Sequence, residues 1–155
     1  MRHFMAIVAF AIAAASASLA SAQPIVTADP GRYAAELSNN MAVGGIAPLR
    51  ALFTEMYPTG LPTNVEAALI TFERAITVRR AIEARVIEDV TLADSFRTIY
   101  LYHYYGSTYW VFTRVDFVRI GDEWALSGAS FGSDWTMVAM VTTPDFHPSG
   151  QPPRR

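Results

Sequence analysis

Past residue 28 the apolar positions fall into two successive rhythms, first the 3.6-residue period of helices and then the two-residue period of strands. Asp29-Pro30 opens the first helical stretch, since an aspartate can cap free amides and proline suits the first turn. Tyr33, Leu37 and Met41 recur on one face, and Gly44-Gly45 close the run. A second helix is predicted from Ile46 to Tyr57, with Ile46, Leu49, Leu52, Phe53 and Met56 as its apolar stripe and Pro48 in its first turn. Pro58 to Pro62 breaks the chain. Thr63-Asn64-Val65-Glu66 then reads as a capping box, followed by Val65, Leu69, Phe72 and Ile76 on one face to about Val78.

From about Ala81 the rhythm shortens. Ile82, Ala84 and Val86 alternate with Glu83, Arg85 and Ile87, which predicts a strand. Asp94-Ser95 marks a turn. Phe96 to Tyr105, Tyr109 to Ile120 and Trp124 to Phe131 are dense in aromatic and β-branched residues and predict three more strands. Gly106-Ser107 and Gly121-Asp122 separate them as short turns. Helices followed by a strand meander predict an α+β fold, with about three helices on a four-stranded antiparallel sheet. Trp135 to Val141 is apolar and fits either a short strand or a helix.

The two ends behave differently. Met1-Arg2-His3, an apolar run from Phe4 to Ala15, and Ala20-Ser21-Ala22 follow one another as the charged start, apolar core and A-x-A site of a secretion signal. The apolar run is short for a bilayer span, which takes about 20 residues. Residues 1–22 are therefore expected to be a signal peptide cut before Gln23, and residues 23–143 a single domain. Residues 144–155, with Pro144, Pro148, Pro152 and Pro153, are expected to be a disordered tail. The expected location is the periplasm or the outside of a bacterium. No membrane span is expected once the signal is gone.

Composition narrows the chemistry. The chain has no cysteine, although an exported domain is free to use disulfides. That excludes thiolate metal sites and cysteine nucleophiles. Its formal charge of −2, with no basic stripe, argues against a nucleic-acid partner. No phosphate-cradling glycine loop, G-x-S-x-G elbow or H-E-x-x-H is present. His103 and His147, the two histidines past the signal, are too far apart in sequence to suggest a zinc site. No metal and no cofactor are expected.

Phe96 to Tyr102, Tyr109 to Arg114, Gly121-Asp122-Glu123-Trp124-Ala125-Leu126 and Phe131-Gly132-Ser133-Asp134 together resemble the strand meander of small exported NTF2-like proteins. The resemblance covers about residues 63–135. It implies the cystatin-like α+β class, with helices in the concavity of a curved sheet. It implies no single activity, because this fold hosts isomerases, cyclases, transport factors and binding modules.

Two residues are candidates for acid–base chemistry. His103 shares a strand face with Ile99, Leu101 and Tyr105, and a histidine beside tyrosine hydroxyls can act as a base or a ligand donor. Its competing role is that of a hydrogen-bonded structural group. Asp116 shares a face with Trp110, Phe112 and Arg114, and a carboxylate in an apolar cup can abstract a proton. Its competing role is an ion pair with Arg114 or Arg97. Tyr100, Tyr102, Trp110, Phe112 and Trp124 are candidates for lining a ligand cup, or for packing across strands. The leading expectation is a non-catalytic binding or accessory module for a small apolar molecule or an envelope protein. One alternative is a cofactor-free isomerase- or cyclase-like enzyme, which needs its catalytic groups in one cavity. The other is a structural partner in an envelope assembly. By resemblance, a homodimer is expected through the sheet.

Overall fold

The computed structural model describes residues 11–12, 24–76, 80–106 and 109–134. The run Trp135–Val141, the tail and most of the N-terminal segment lie outside the described residues. Three helices, α1 (Pro30–Gly44), α2 (Ala47–Met56) and α3 (Thr63–Ala75), precede the long strands. Two short strands, β1 (Ala11–Ile12) and β2 (Val26–Thr27), come before them in the chain. The long strands are β3 (Glu83–Leu92), β4 (Phe96–Gly106), β5 (Tyr109–Ile120) and β6 (Glu123–Gly132). The architecture is α+β with an antiparallel sheet.

The helix boundaries reflect capping chemistry. The Asp29 carboxylate accepts from the amides of Gly31 at 2.9 Å and Arg32 at 3.2 Å, which starts α1. Gly45 closes it at φ 68°, a left-handed conformation open to glycine, and donates its amide to Met41 O. The capping box expected at Thr63 does not form. Pro62 is the N-cap of α3, and Thr63 is already its first helical residue. Pro62 O takes the Glu66 amide at 3.0 Å, the amide that the Thr63 hydroxyl was expected to accept. The helix also ends before the expected Val78, with Ile76 as its C-cap.

The sheet holds more than the four strands expected. The four long strands form consecutive hairpins, and β1 and β2 both pair with the outer side of β6. Ala11 and Ile12 sit opposite Phe131 and Ser130, while Val26 and Thr27 sit opposite Ala125 and Trp124. At the other edge, β3 carries a register shift between Val86 and Glu88. The bulge ends the simple alternation expected there, and Ile82 (70 % exposed), Val86 and Ile87 are exposed instead of packed. Bulges and charges such as Glu83, Arg85, Glu88 and Asp89 protect a free edge from pairing with another chain.

The core lies between the helices and one face of the sheet. Leu37 and Met41 of α1, Leu49 and Phe53 of α2, and Val65, Leu69 and Phe72 of α3 meet Ile99, Leu101, Val111, Val115, Phe117 and Phe131. Phe131 is the pivot of the α2–α3 side, with Phe53 at 5.2 Å and Phe72 at 5.6 Å, both edge-on. None of the described helices is long and apolar enough to cross a membrane.

Candidate functional site

The β4–β5 register decides which candidate residues can act together. His103 is opposite Val111 and Leu101 opposite Thr113, so these residues point toward the helices. Thr98 is opposite Asp116, Tyr100 opposite Arg114, Tyr102 opposite Phe112, and Tyr104 opposite Trp110. This second set points away from the helices. His103 and Asp116 therefore lie on opposite faces of the sheet. A single cavity holding both, as the isomerase-like alternative required, does not form from these two residues.

His103 has no exposed surface. Its Nε2 lies 3.0 Å from Ser38 O and 3.1 Å from Ser38 Oγ, so α1 sits directly over the ring. A proton on Nε2 is donated to the Ser38 carbonyl. That tautomer leaves Nδ1 a bare acceptor, and Nδ1 is buried without a partner. Burial lowers the His103 pKa below its usual value, while the Ser38 carbonyl works in the opposite direction. The ring stacks on Tyr105 at 6.3 Å. Tyr105 donates its hydroxyl to Met41 O at 2.9 Å, and burial raises its pKa. His103 is thus an interior latch between β4 and α1, beyond the reach of any solvent-borne substrate.

Asp116 is equally committed. Its Oδ2 accepts from Arg114 Nε at 2.9 Å and Arg114 Nη2 at 2.6 Å, and its Oδ1 accepts from Thr98 Oγ1 at 2.8 Å. The two side chains are 14 % and 7 % exposed. Both carboxylate oxygens are thus engaged within the sheet, one of them by short charge-assisted bonds, and neither is offered to a substrate. Gly128 makes room for the carboxylate, since a Cβ there would lie 3.3 Å from Oδ2. Arg97, the other expected partner, points to the helix side. It makes a two-pronged contact with Asp89 at 2.7 and 2.6 Å and lies 3.9 Å from the α1 cap Asp29.

The aromatic candidates divide. Tyr100, Tyr102, Trp110 and Phe112 share the face away from the helices, together with Tyr104. Tyr102 and Phe112 pack at 5.4 Å with their planes tilted by 43°. Trp124 is not part of this set. It is opposite Arg119 and packs against the helix-side core. The face is graded: Tyr100 is 4 % exposed and Trp110 38 %. Tyr102, Tyr104 and Phe112 lie between these limits. The Trp110 indole donates to Ser133 O, which ties the end of β6 to this side of the sheet.

Ser38 and Thr98, which hold the two candidate acid–base groups, were not singled out by sequence reasoning. Ser38 carries a signal in retrospect, as a small polar residue beside Leu37 within the apolar stripe of α1. Thr98 carries none, because its role depends on strand register. Among the described residues, no cluster of three or more His, Asp or Glu side chains is placed to hold a metal. An open depression of about 260 Å³ lies at the start of α1, lined by Thr27, Ala28, Asp29, Arg32, Tyr33 and Glu36. Its charged groups are spent on the helix itself, with Asp29 capping and Arg32 paired to Glu36 at 2.8 Å.

Comparison with known protein families, with curated proteins and with solved structures finds no match for this chain. The functional reading rests on the geometry above.

Proposed function

We propose that the protein is an exported, non-catalytic binding module of NTF2-like type, and that its partner surface is the aromatic end of the helix-free sheet face. The observation that carries this reading is the half-open group of Tyr102, Tyr104 and Trp110 on adjacent strands. Large aromatic side chains that are rigid and partly solvated supply contact area at little cost in conformational freedom. The acid–base candidates favour binding over catalysis, since His103 is sealed under α1 and Asp116 is paired with Arg114. The order of helices before a strand meander supports the NTF2-like reading. The charged start, apolar run and A-x-A site support export after loss of residues 1–22.

Native mass spectrometry of the mature protein, purified from its own envelope, tests this. The expected result is a bound partner, ligand or second copy that is lost in Tyr104→Ala/Trp110→Ala and kept in His103→Gln. A protein that carries nothing at any concentration, or a complex indifferent to the double substitution, overturns the reading. A turnover reaction abolished by His103→Gln or Asp116→Asn would restore the enzyme.

A further inference from the structure

Strand β6 is met twice on its outer side, by β2 near its start and by β1 near its end. β2 reaches Trp124 and Ala125, and the Leu126 amide donates to Ile25 O at 2.8 Å. β1 runs antiparallel to the other end, with Ala11 opposite Phe131 and Ile12 opposite Ser130, and its backbone lies close to α3. The two neighbours differ in origin. β2 leads directly into α1, whereas β1 belongs to residues 1–22, which the proposed export removes. We propose that residues 128–132 of this edge are a docking seat for an extended, uncharged segment of an envelope protein, which joins the sheet antiparallel to β6 in the place that Ala11–Ile12 hold. The seat lies apart from the aromatic surface and rests only on the export part of the reading above.

The seat defines its occupant. An open strand edge offers main-chain amides and carbonyls, and an added strand pairs with them through its own backbone. Natural edges are guarded by charges and bulges, as β3 is by Glu83, Arg85, Glu88, Asp89 and the shift after Val86. The far end of β6 has no such guard. Gly128-Ala129-Ser130-Phe131-Gly132 carries no charge, and the register shift of β5 and β6 falls at Ser127, before this stretch. Phe131 faces the helices and packs on Phe53 and Phe72, so a residue opposite it in an added strand shares the core side. A charge at that position would be set against apolar rings without a partner. The chain's own occupant has the matching composition, since Ala11 and Ile12 come from the uncharged run Phe4 to Ala15. A second copy is a poorer occupant, because its free edge, β3, is the charged one.

The probe is a synthetic peptide of Val8 to Ala15, fluorescently labelled and flanked by lysines for solubility. It stands in for the partner's strand and is titrated into the mature protein, residues 23–155. Every variant is made in the peptide, so none has to fold. Saturable binding is expected by anisotropy. N-methylation at positions 11 and 12 removes the amides and keeps the side chains, and is expected to weaken binding about tenfold. Ala11→Asp in the peptide is expected to weaken it about tenfold as well. The full chain, residues 1–155, which holds its own strand in the seat, is expected to bind about tenfold more weakly than residues 23–155. In the mature protein the amide resonances of 128–132 are expected to move on binding and those of β3 to stay. No binding, binding indifferent to N-methylation, equal binding by the two chains, or shifts confined to β3 or to Tyr104 and Trp110 overturn the inference. The mass of the protein purified from its own envelope separates this failure from that of the export reading. A chain that begins at Gln23 and binds no peptide removes the seat and keeps export, whereas a chain that retains residues 11–12 removes both.

Discussion

His103 gives up its water on folding and gains one backbone acceptor, Ser38 O. Above its usual pKa of about 6.5 the ring is neutral in both the folded and the unfolded chain, and its contribution is fully present. Below that value the unfolded chain takes up a proton that the folded ring resists. Stability therefore falls as pH drops from about 6.5 toward the lowered folded pKa, by at most about 1.4 kcal/mol per pH unit. Urea midpoints measured between pH 7.5 and 5 are expected to show this loss, and His103→Gln to flatten it. On the other face, Arg114→Met strips Asp116 of its counter-charge while roughly keeping the volume. A loss of about 3 kcal/mol is expected from a carboxylate left in a mostly buried site. Gly128→Ala crowds the same carboxylate and should cost about 1 kcal/mol, read by the same denaturation. In the β3–β4 turn, Ala93 sits at φ 49° and Asp94 at φ 54°. A side chain in that region is strained by about 1 kcal/mol, so Ala93→Gly is expected to raise the melting temperature.

Among the elements, α2 and α3 share one sheet side chain, Phe131, as a common packing partner. Phe131 receives the edges of Phe53 and Phe72, so Phe131→Ala opens a cavity shared by two helices and β6. The expected cost is about 3–5 kcal/mol in a denaturant titration, and Phe131→Leu should recover part of it. Helix α1 adds to its apolar packing polar latches at Ser38–His103 and Met41–Tyr105, with Arg97 near its cap. Its beginning and end were legible because Asp29 and Gly45 act within one turn of where they stand. The start of α3 was not legible to the residue, since whether Thr63 caps depends on the backbone that Pro62 imposes. Gly121 and the turn it makes could be read directly. The bulge at Ile87 could not, because alternation alone does not say where two strands fall out of step.

For the whole molecule, the order of helices before a meander was visible from the change of period near Ala81. Sides of the sheet were partly visible too. Alternation put His103 with Ile99, Leu101 and Tyr105, and put Asp116 with Trp110 and Phe112. It could not relate one strand to the next, and only the pairing of Thr98 with Asp116 shows that the two candidate acid–base groups back onto opposite faces. The same limit left the side of Trp124 open: it lies opposite Thr27 and Arg119 and packs against the helix-side core. The pairing of Ala11–Ile12 with β6 has a consequence for biogenesis. On the proposed export, residues 11–12 cannot at once be offered to the export machinery and be paired with β6. On that proposal, a chain that folds before delivery hides its own address, so delivery and folding compete. The cut proposed before Gln23 would take Ala11 and Ile12 from their places opposite Phe131 and Ser130.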